Sequence, residues 1–469
     1  MKLAQLDLIR CACGSREFRV EAKVVGEAQG PQIDEIGCRN FCAFRQCSVE
    51  GNGIRLSDCH QCRSRNVFEG ALACSSCGQS WNIIDGLPSF ASYCVYSDPV
   101  EHLQVVETDP QADPRWEAFV LAHPSGLIYH HPGWIAALEQ EYGRKGVHLL
   151  CEDADGRALA VMPMLYTLGL PFNSGGRLAG RRLSSLPRTP VAGPLSTGQG
   201  ATIALLRAAV QKASQNPGIE LQIKTEGPEL DGLVPNVVCT PWRLSYLLRL
   251  PECCGNPFRV TNSHRRATIK RAINKATRMG VRVRPAITEA DVRQWYELYI
   301  QVMRNNAVPP RPDRFFDTVL GLLGPKGAVQ LLLAEQHIGG KVRVVAGSIF
   351  LMLGQRVSYA FNGSRSSDLP LRANDLLHWE AINDACRKGF RCFDFGEVPE
   401  GYRDLAAFKG KWGAEPVRLY RYYYPASSLR PEVSGEQATG LARAFAEKVW
   451  QHLPTRAVEW LGDRLYSYL

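Results

Sequence analysis

Two carboxylates and two lysines lie close together near the C-terminal end of this 469-residue chain. Asp394 and Glu397 belong to a short aromatic stretch that predicts a strand ending in a Gly/Pro turn. The loop that follows supplies Phe408, Lys409 and Trp412. Cations beside carboxylates at a strand end, framed by aromatic rings, indicate a polar site set into an apolar wall. The alternative is a solvated turn with surface ion pairs, which is the usual role of isolated charged loop residues.

The same stretch resembles the closing signature of the FemAB-like acyltransferases, which are relatives of the GNAT fold. The resemblance rests on Phe393-Asp-Phe-Gly396 and on Phe408-Lys-Gly-Lys-Trp-Gly-Ala-Glu-Pro416. Other motifs resemble further parts of this family in the same order, and they are Tyr129-His-His-Pro-Gly-Trp134, Met162-Pro-Met164, Ser185-Leu-Pro187, His264 to Arg271 and Pro370 to Trp379. Together they extend the resemblance over roughly residues 100–425.

This resemblance implies acyl transfer to an amine. In such a reaction a base removes the amine proton and a cation stabilises the oxyanion. We expect Asp394 or Glu397 to be the base, and the resemblance places Lys409 at the family's active-site lysine. No Ser/His/Asp or Cys/His nucleophile pattern stands out, which favours direct transfer. The glycine-rich pyrophosphate loop of ordinary GNAT enzymes is not visible, so the donor is either acyl-CoA or aminoacyl-tRNA.

The most basic run of the chain predicts a helix that is capped by Ser263 and ends at Gly280. The resemblance implies that the basic residues at its start face a substrate groove, and a cationic helix face suits any anion, including tRNA. A merely solvated basic face is the alternative. The candidate substrate-binding residues are Arg265, Arg266, Lys270, Tyr359, Asn374, Phe408 and Trp412.

The N-terminal region is rich in cysteine. Of the 16 cysteines, the pairs Cys59/Cys62 and Cys74/Cys77 form two Cys-x-x-Cys motifs at a spacing that suits one tetrahedral Zn²⁺. Because the chain begins without an apolar export signal, we expect a reducing compartment and metal binding rather than disulfides. The residues from Cys74 onward resemble the zinc ribbon of the small subunit that activates tRNA and release-factor methyltransferases.

Zinc in such a ribbon is structural, because all four ligands are protein thiolates. A second zinc site is a weaker prediction, since its cysteines are irregularly spaced and can equally be small buried hydrophobes. Its candidate ligands are Cys11, Cys13, Cys38 and Cys42, with Cys47 left over. The surface of the ribbon is a candidate docking site for a protein partner.

The composition is that of an ordinary globular protein. Hydrophobic residues make up 45% and charged residues 22%, and the net charge of +9 is too small for the length to indicate a nucleic-acid binder by itself. No run approaches the roughly 20 apolar residues of a membrane span. We expect a cytoplasmic protein, with peripheral contact at the inner face of the membrane as a minority hypothesis.

The order of predicted strands and helices indicates a mixed α/β (α+β) fold with two tandem GNAT-like domains of FemAB type. The expected segments are a zinc-ribbon domain over 1–97, GNAT-like domains over 98–255 and 256–428, and an amphipathic helical tail over 429–469. The apolar stripe of the tail can pack back on the protein, or it can rest on a membrane.

Three functions remain open at this point. The first is an N-acyltransferase that acts on an amino sugar, a lipid-linked glycan or a peptide in cell-envelope or exopolysaccharide assembly. The second is an aminoacyl-tRNA-dependent transferase of the peptidoglycan-bridge type. The third is a non-catalytic zinc-bearing adaptor whose body only binds.

Overall fold

The computed structural model describes most of the chain from residue 103 onward and parts of the region before it. The described residues are 18–27, 41–42, 47–48, 65–75, 80–84, 87–88, 103–169, 181–216, 218–251, 258, 260, 262–426, 447–466 and 468. The chain divides into two compact units, residues 1–100 and residues 101–469.

In the first unit, strands form an antiparallel sheet in the order β1-β4-β5-β6, and β2 pairs separately with β3. The strands are β1 (Phe18–Glu27), β2 (Phe41–Cys42), β3 (Cys47–Ser48), β4 (Arg65–Cys74), β5 (Ser80–Ile84) and β6 (Leu87–Pro88). Phe18, Val67 and Leu72 are buried on this sheet. Alternation of such residues with exposed Arg19 and Glu21 is the pattern of a strand with one covered face.

Only part of the predicted zinc-binding set falls within the described residues. Cys74 ends β4 and is buried, and Cys42 lies in β2. The remaining predicted ligands lie outside the described residues, and they are Cys11, Cys13, Cys38, Cys59, Cys62 and Cys77. Across the residues that are described, no group of three or more His, Cys, Asp or Glu side chains is arranged to hold a metal ion.

The second unit is built on a ten-stranded mixed sheet with the order β10-β11-β13-β20-β14-β19-β18-β17-β16-β15, beside a smaller antiparallel sheet with the order β12-β9-β8-β7. The strands before residue 250 are β7 (Gln104–Glu107), β8 (Leu149–Glu152), β9 (Ala158–Met162), β10 (Leu165–Thr167), β11 (Arg181–Ser184), β12 (Leu195–Ser196), β13 (Ile219–Thr225) and β14 (Val238–Arg249). The later strands are β15 (Val281–Pro285), β16 (Val329–Ile338), β17 (Lys341–Leu353), β18 (Arg356–Ser364), β19 (Cys392–Val398) and β20 (Glu415–Tyr424). The predicted mixed α/β class is confirmed.

Helices cover both faces of the large sheet. They are α1 (Pro114–Ala122), α2 (Pro132–Tyr142), α3 (Gln199–Ser214), α4 (Ser263–Arg278), α5 (Glu289–Asn305), α6 (Asp313–Leu323), α7 (Ala373–Arg387), α8 (Arg403–Gly410), α9 (447–452) and α10 (Thr455–Tyr466), with short 3₁₀ turns at Ile128–His130 and Ser366–Leu371. One core cluster lies under α2, α5 and α6, a second under α4 and α7, and a third under α3.

One strand links the two halves of this unit. β20 lies between β13 and β14 and pairs with both in antiparallel register, with Tyr422 opposite Ile223 on one side and Cys239 on the other. The sheet is therefore continuous from β10 to β15. The division of 98–428 into two GNAT-like domains remains a prediction.

The end of the chain packs back on the second unit. Val458 on α10 is completely buried in the first core cluster, and Trp450 and Leu453 pack against it. Arg314 on α6 forms an ion pair of 2.5 Å with Asp463. Among the described residues, no helix is both long enough and apolar enough to cross a membrane.

The predicted basic helix is present with a different cap. α4 begins at Ser263, but its N-cap is Asn262, whose side chain accepts a hydrogen bond of 3.0 Å from the Arg265 backbone N–H. The prediction of Ser263 as the cap was wrong by one residue, because both residue types can cap and the backbone turns one position earlier. Gly280 follows the helix at φ +74°, as the predicted end requires.

Candidate active site

The site lies where two neighbouring parallel strands stop pairing. β18 and β19 pair at Arg356–Cys392, Val357–Phe393 and Ser358–Asp394, and the ladder ends there although both strands continue. Beyond this point β18 stays paired with β17, and β19 stays paired with β14. Asp394 therefore sits at the last rung, where a polar side chain can face an opening in the sheet.

Asp394 is buried, with 6% of its surface exposed. Its Oδ1 accepts hydrogen bonds from Ser245 Oγ at 2.9 Å and from the Gly396 backbone N–H at 2.8 Å. The Arg356 guanidinium lies 3.8 Å from Oδ2. Burial raises the pKa of Asp394, and Arg356 and the hydrogen bonds only partly oppose this effect. The carboxylate consequently holds a proton more readily than an exposed aspartate does.

Lys409 is the penultimate residue of α8 and is 3% exposed. Its Nζ donates to the backbone carbonyls of Gly396 at 2.9 Å and Glu397 at 3.0 Å. Gly396 has φ +77°, a left-handed conformation that lets β19 turn its carbonyl toward the ammonium. Burial lowers the pKa of Lys409 to about 8, against the opposing charges of Asp394 and Glu397. At neutral pH the group is still mainly cationic, and one of its three N–H donors remains for a substrate.

The Glu397 side chain is held by other cations. Its Oε1 accepts from Arg421 at 3.1 Å, and its Oε2 accepts from Trp242 Nε1 at 3.4 Å and lies 3.6 Å from Arg243. Arg421 also donates to the Pro190 carbonyl at 2.7 Å. Glu397 thus ties β19 to β14 and β20, and only its backbone carbonyl contacts the lysine.

Tyr129 approaches the same aspartate from the turn before α2. It is buried, and its pKa is raised by burial first and by the negative charge of Asp394 second. Its hydroxyl therefore keeps its proton. In the sequence, Tyr129 is visible only as part of a family-like opening motif, and no local pattern could place it beside a strand more than 260 residues away.

A cavity of about 300 Å³ opens between β17, β18, the Ser366–Leu371 turn, α7 and α8. Three of the predicted substrate-binding residues line it, namely Tyr359, Asn374 and Phe408. Trp412 does not line it, because its ring is completely buried and stacks on Phe395 with ring centroids 6.4 Å apart.

The predicted cationic residues Arg265, Arg266 and Lys270 lie elsewhere. All three are exposed on α4, and none of them lines the cavity. No ion pair joins them to an acidic residue within the described part of the chain. They form an open cationic surface rather than a wall of this site.

Sequence reasoning missed His378, which lies on the buried face of α7 and lines the cavity. Its Nδ1 is 2.7 Å from the Asn374 carbonyl, and its ring lies 4.6 Å from Tyr359 and 5.3 Å from Phe408 between centroids. Burial lowers its pKa to about 4. The one local signal is the four-residue spacing between Asn374 and His378, which puts both on one helix face.

Comparisons with known proteins bear on the fold that carries this site. Residues 263–404 match the family described as "Acetyltransferase (GNAT) domain". The crystal structure of FemX superposes with a TM-score of 0.53 at 13% identity, covering 69% of this chain and 98% of FemX. No curated protein sequence matches this chain.

Two further solved structures are similar at lower scores. L-PGS from Bacillus licheniformis has a TM-score of 0.46 at 12% identity, covering 74% of this chain and 99% of its own. A tandem GNAT protein from the clavulanic acid biosynthesis pathway has a TM-score of 0.40 at 8% identity, and the match covers 69% of this chain and 98% of that protein. The matched domain and the fold shared with FemX support an acyltransferase with a GNAT-like fold.

Proposed function

We propose that this protein is an N-acyltransferase that moves an acyl or aminoacyl group onto an amine. The amine belongs to an amino sugar, a glycan precursor or a peptide, and the setting is cell-envelope or exopolysaccharide assembly. The observation that carries the proposal is the buried pair of Asp394 and Lys409 at the end of the β18–β19 ladder. A carboxylate with a raised pKa beside a buried cation supplies a base and an oxyanion stabiliser together.

The reaction assigns one step to each group. The amine nitrogen forms a bond to the carbonyl carbon of the donor, and the carbonyl electron pair moves onto oxygen. Asp394 takes the proton that the amine loses, and the Lys409 ammonium donates to the oxyanion. When the carbonyl re-forms, the bond to the leaving sulfur or ribose oxygen breaks and that atom takes the proton. Asp394 is preferred over Glu397 as the base because three other side chains hold the Glu397 carboxylate.

The donor is an acyl-CoA or an aminoacyl-tRNA. The second of these is favoured by the exposed cationic face of α4, since a row of solvated cations attracts a phosphate backbone. The exposed basic residues of this helix are Arg265, Arg266, Lys270, Arg271, Lys275 and Arg278. In this form of the proposal, α4 binds the tRNA and the site transfers its aminoacyl group.

A mass-spectrometric transfer assay tests the proposal. The purified protein is given glucosamine or a peptide amine together with acetyl-CoA or charged tRNA. A donor-dependent mass gain on the acceptor, lost in Lys409→Met and kept in Glu400→Gln, is expected, because Glu400 is 88% exposed. No gain with any pairing, combined with tight binding of nucleotide-sugar or tRNA, would support the non-catalytic adaptor instead.

We also propose that the N-terminal region binds a structural Zn²⁺ through Cys59, Cys62, Cys74 and Cys77, which form a ribbon that can dock a protein partner. The spacing of the two Cys-x-x-Cys motifs supports this proposal. Metal analysis of the purified chain should find about one zinc per molecule, lost on Cys59→Ser/Cys62→Ser. A second equivalent of zinc would extend the proposal to Cys11, Cys13, Cys38 and Cys42, and a metal-free wild-type chain would end it.

For the tail, packing of α10 against the protein is the better-supported role. Val458 is completely buried on α10, and the Arg314–Asp463 ion pair holds the same helix against α6. Trp460 is exposed, which keeps peripheral membrane contact as the minority proposal. Sedimentation with anionic vesicles distinguishes the two, since a packed tail leaves the protein in the supernatant.

A further inference from the structure

The cavity between β17, β18, α7 and α8 presents unpaired hydrogen-bond acceptors in aromatic surroundings, and one of its lining residues, Phe408, directly precedes Lys409. His378 is 0% exposed, and its Nε2 has no hydrogen-bond partner among the described residues. Asn374 Oδ1 is likewise a buried atom without a hydrogen-bond partner among the described residues. Tyr359 and Phe408 also line the cavity, and both make edge contacts with the imidazole ring. A buried acceptor without a partner is costly, and such groups are retained where a ligand or water completes them.

The tautomer of His378 follows from its neighbours. Nδ1 lies 2.7 Å from the carbonyl oxygen of Asn374, and a carbonyl oxygen can only accept. Nδ1 must therefore carry the proton. Because burial and the nearby charges of Lys411 and Lys409 lower the pKa of His378, the ring is neutral at pH 7 and Nε2 carries a lone pair. The group that completes Nε2 must be a hydrogen-bond donor.

The carboxylates of the cavity wall do not provide an alternative contact for that donor. Asp368 is paired with Arg343 at 2.8 Å and lies 3.7 Å from Arg365, and Asp375 is paired with Lys411. Their charges are already balanced by cations. The acceptors left for a ligand are neutral, and they sit among aromatic rings whose faces also attract N–H groups and ammonium ions.

We propose that His378 Nε2, assisted by Asn374 Oδ1, binds an N–H group of the acyl donor inside this cavity. The inference rests on the proposed function and adds a specificity residue to it. Two donor classes carry such a group, since a pantetheine arm has amide N–H groups and an aminoacyl ester has an α-ammonium. A volume of about 300 Å³ accommodates either fragment.

A pair of substitutions at one position separates the hydrogen bond from the packing. In His378→Asn the amide nitrogen can replace Nδ1–H as donor to the Asn374 carbonyl, but nothing replaces Nε2. In His378→Gln the longer side chain puts an acceptor near the position of Nε2. Loss of binding in the first variant and its retention in the second would identify Nε2 as the ligand contact.

The matched control is His452→Asn. His452 is exposed on α9, and its Nδ1 is also 2.7 Å from the carbonyl four residues earlier, that of Lys448. This variant removes the same local helix contact without touching the cavity. Thermal unfolding of every variant shows whether the fold is kept.

Calorimetric titration with pantetheine and with 3′-alanylamino-3′-deoxyadenosine measures binding without any transfer step. The wild type should bind one of these probes, and His378→Asn should bind it about 5- to 150-fold more weakly, equivalent to about 1–3 kcal/mol. His378→Gln should stay within about fivefold of the wild type and His452→Asn should match it.

The probe that binds identifies the donor class. Equal binding by folded His378→Asn, or no binding of either probe to the wild type, would overturn the inference. Failure of the proposed function is a separate result, in which the wild type binds a probe through His378 but transfers nothing to any amine. Active transfer with unchanged binding by His378→Asn would leave the function standing without this residue.

Discussion

Replacing Lys409 with methionine should change how stability depends on pH. Burial lowers the pKa of Lys409 from 10.5 to about 8, so the folded protein disfavours the ammonium relative to the unfolded chain. At neutral pH this charged form costs about 3 kcal/mol, at about 1.4 kcal/mol for each pKa unit. Methionine removes that cost, but it leaves the carbonyls of Gly396 and Glu397 without a donor, at about 1–3 kcal/mol each. The opposing changes should leave Lys409→Met folded at neutral pH.

The pH dependence of stability separates the effect of the Lys409 charge from the effect of the lost hydrogen bonds. Between the folded pKa of about 8 and the unfolded pKa of 10.5, the unfolded chain binds more protons at this site. Stability therefore rises with pH through that window. From about pH 7 to about pH 9.5 the wild type should gain about 2 kcal/mol from this lysine, and Lys409→Met should not.

Urea unfolding at the two pH values, followed by tryptophan fluorescence, measures the difference between wild type and variant. Comparing the two proteins at each pH cancels the titration of tyrosines and cysteines that they share. Lys270→Met is the control, since it makes the same substitution at an exposed lysine on α4. An identical pH dependence in the wild type and Lys409→Met would refute the buried-ammonium account.

Three further changes test the surroundings of the site. Gly396→Ala should lose about 1–2 kcal/mol, because Gly396 has φ +77°, whereas Gly410→Ala should lose no stability in thermal unfolding, since nothing lies within 4 Å of the added methyl. Arg356→Met removes the cation 3.8 Å from Asp394, the proposed base, so the pKa of that carboxyl should rise further and the acid limb of the pH–rate profile should move to higher pH. Arg311→Met removes the buried cation that pairs with the Glu141 carboxylate, and urea unfolding should show a loss of about 3–5 kcal/mol.

Local patterns predicted several elements well. The spacing of Trp134, Leu138 and Tyr142 predicts a helix over Pro132–Tyr142, and the structure has a helix with these bounds on which all three are buried. The reason is that apolar residues three and four apart must share one face of a helix. The position of β20 could not be predicted in this way, because its partners on β13 and β14 lie about 170 to 200 residues earlier and any aromatic strand would show the same pattern.

The candidate site shows the same division between local and long-range information. Asp394 and Lys409 are visible in the sequence because they lie close together along the chain, although the predicted loop that holds Lys409 is the helix α8 in the structure. His378 cannot be singled out from the sequence, because a histidine in a helix is usually an ordinary buried residue. Its aromatic neighbours Tyr359 and Phe408 come from other elements, β18 and α8. The bonds that hold the Glu397 side chain likewise come from β14 and β20, so the sequence left two carboxylates as equal candidates for the base.

The single-turnover rate of acyl transfer by Asp394→Asn tests the central claim most directly. Asparagine keeps the shape of the side chain and can still accept from Ser245 Oγ and the Gly396 N–H, but it cannot take a proton. We expect the rate to fall about 10²- to 10⁴-fold, while Glu400→Gln transfers at the wild-type rate. Transfer by folded Asp394→Asn at the wild-type rate would contradict the assignment of this aspartate as the base.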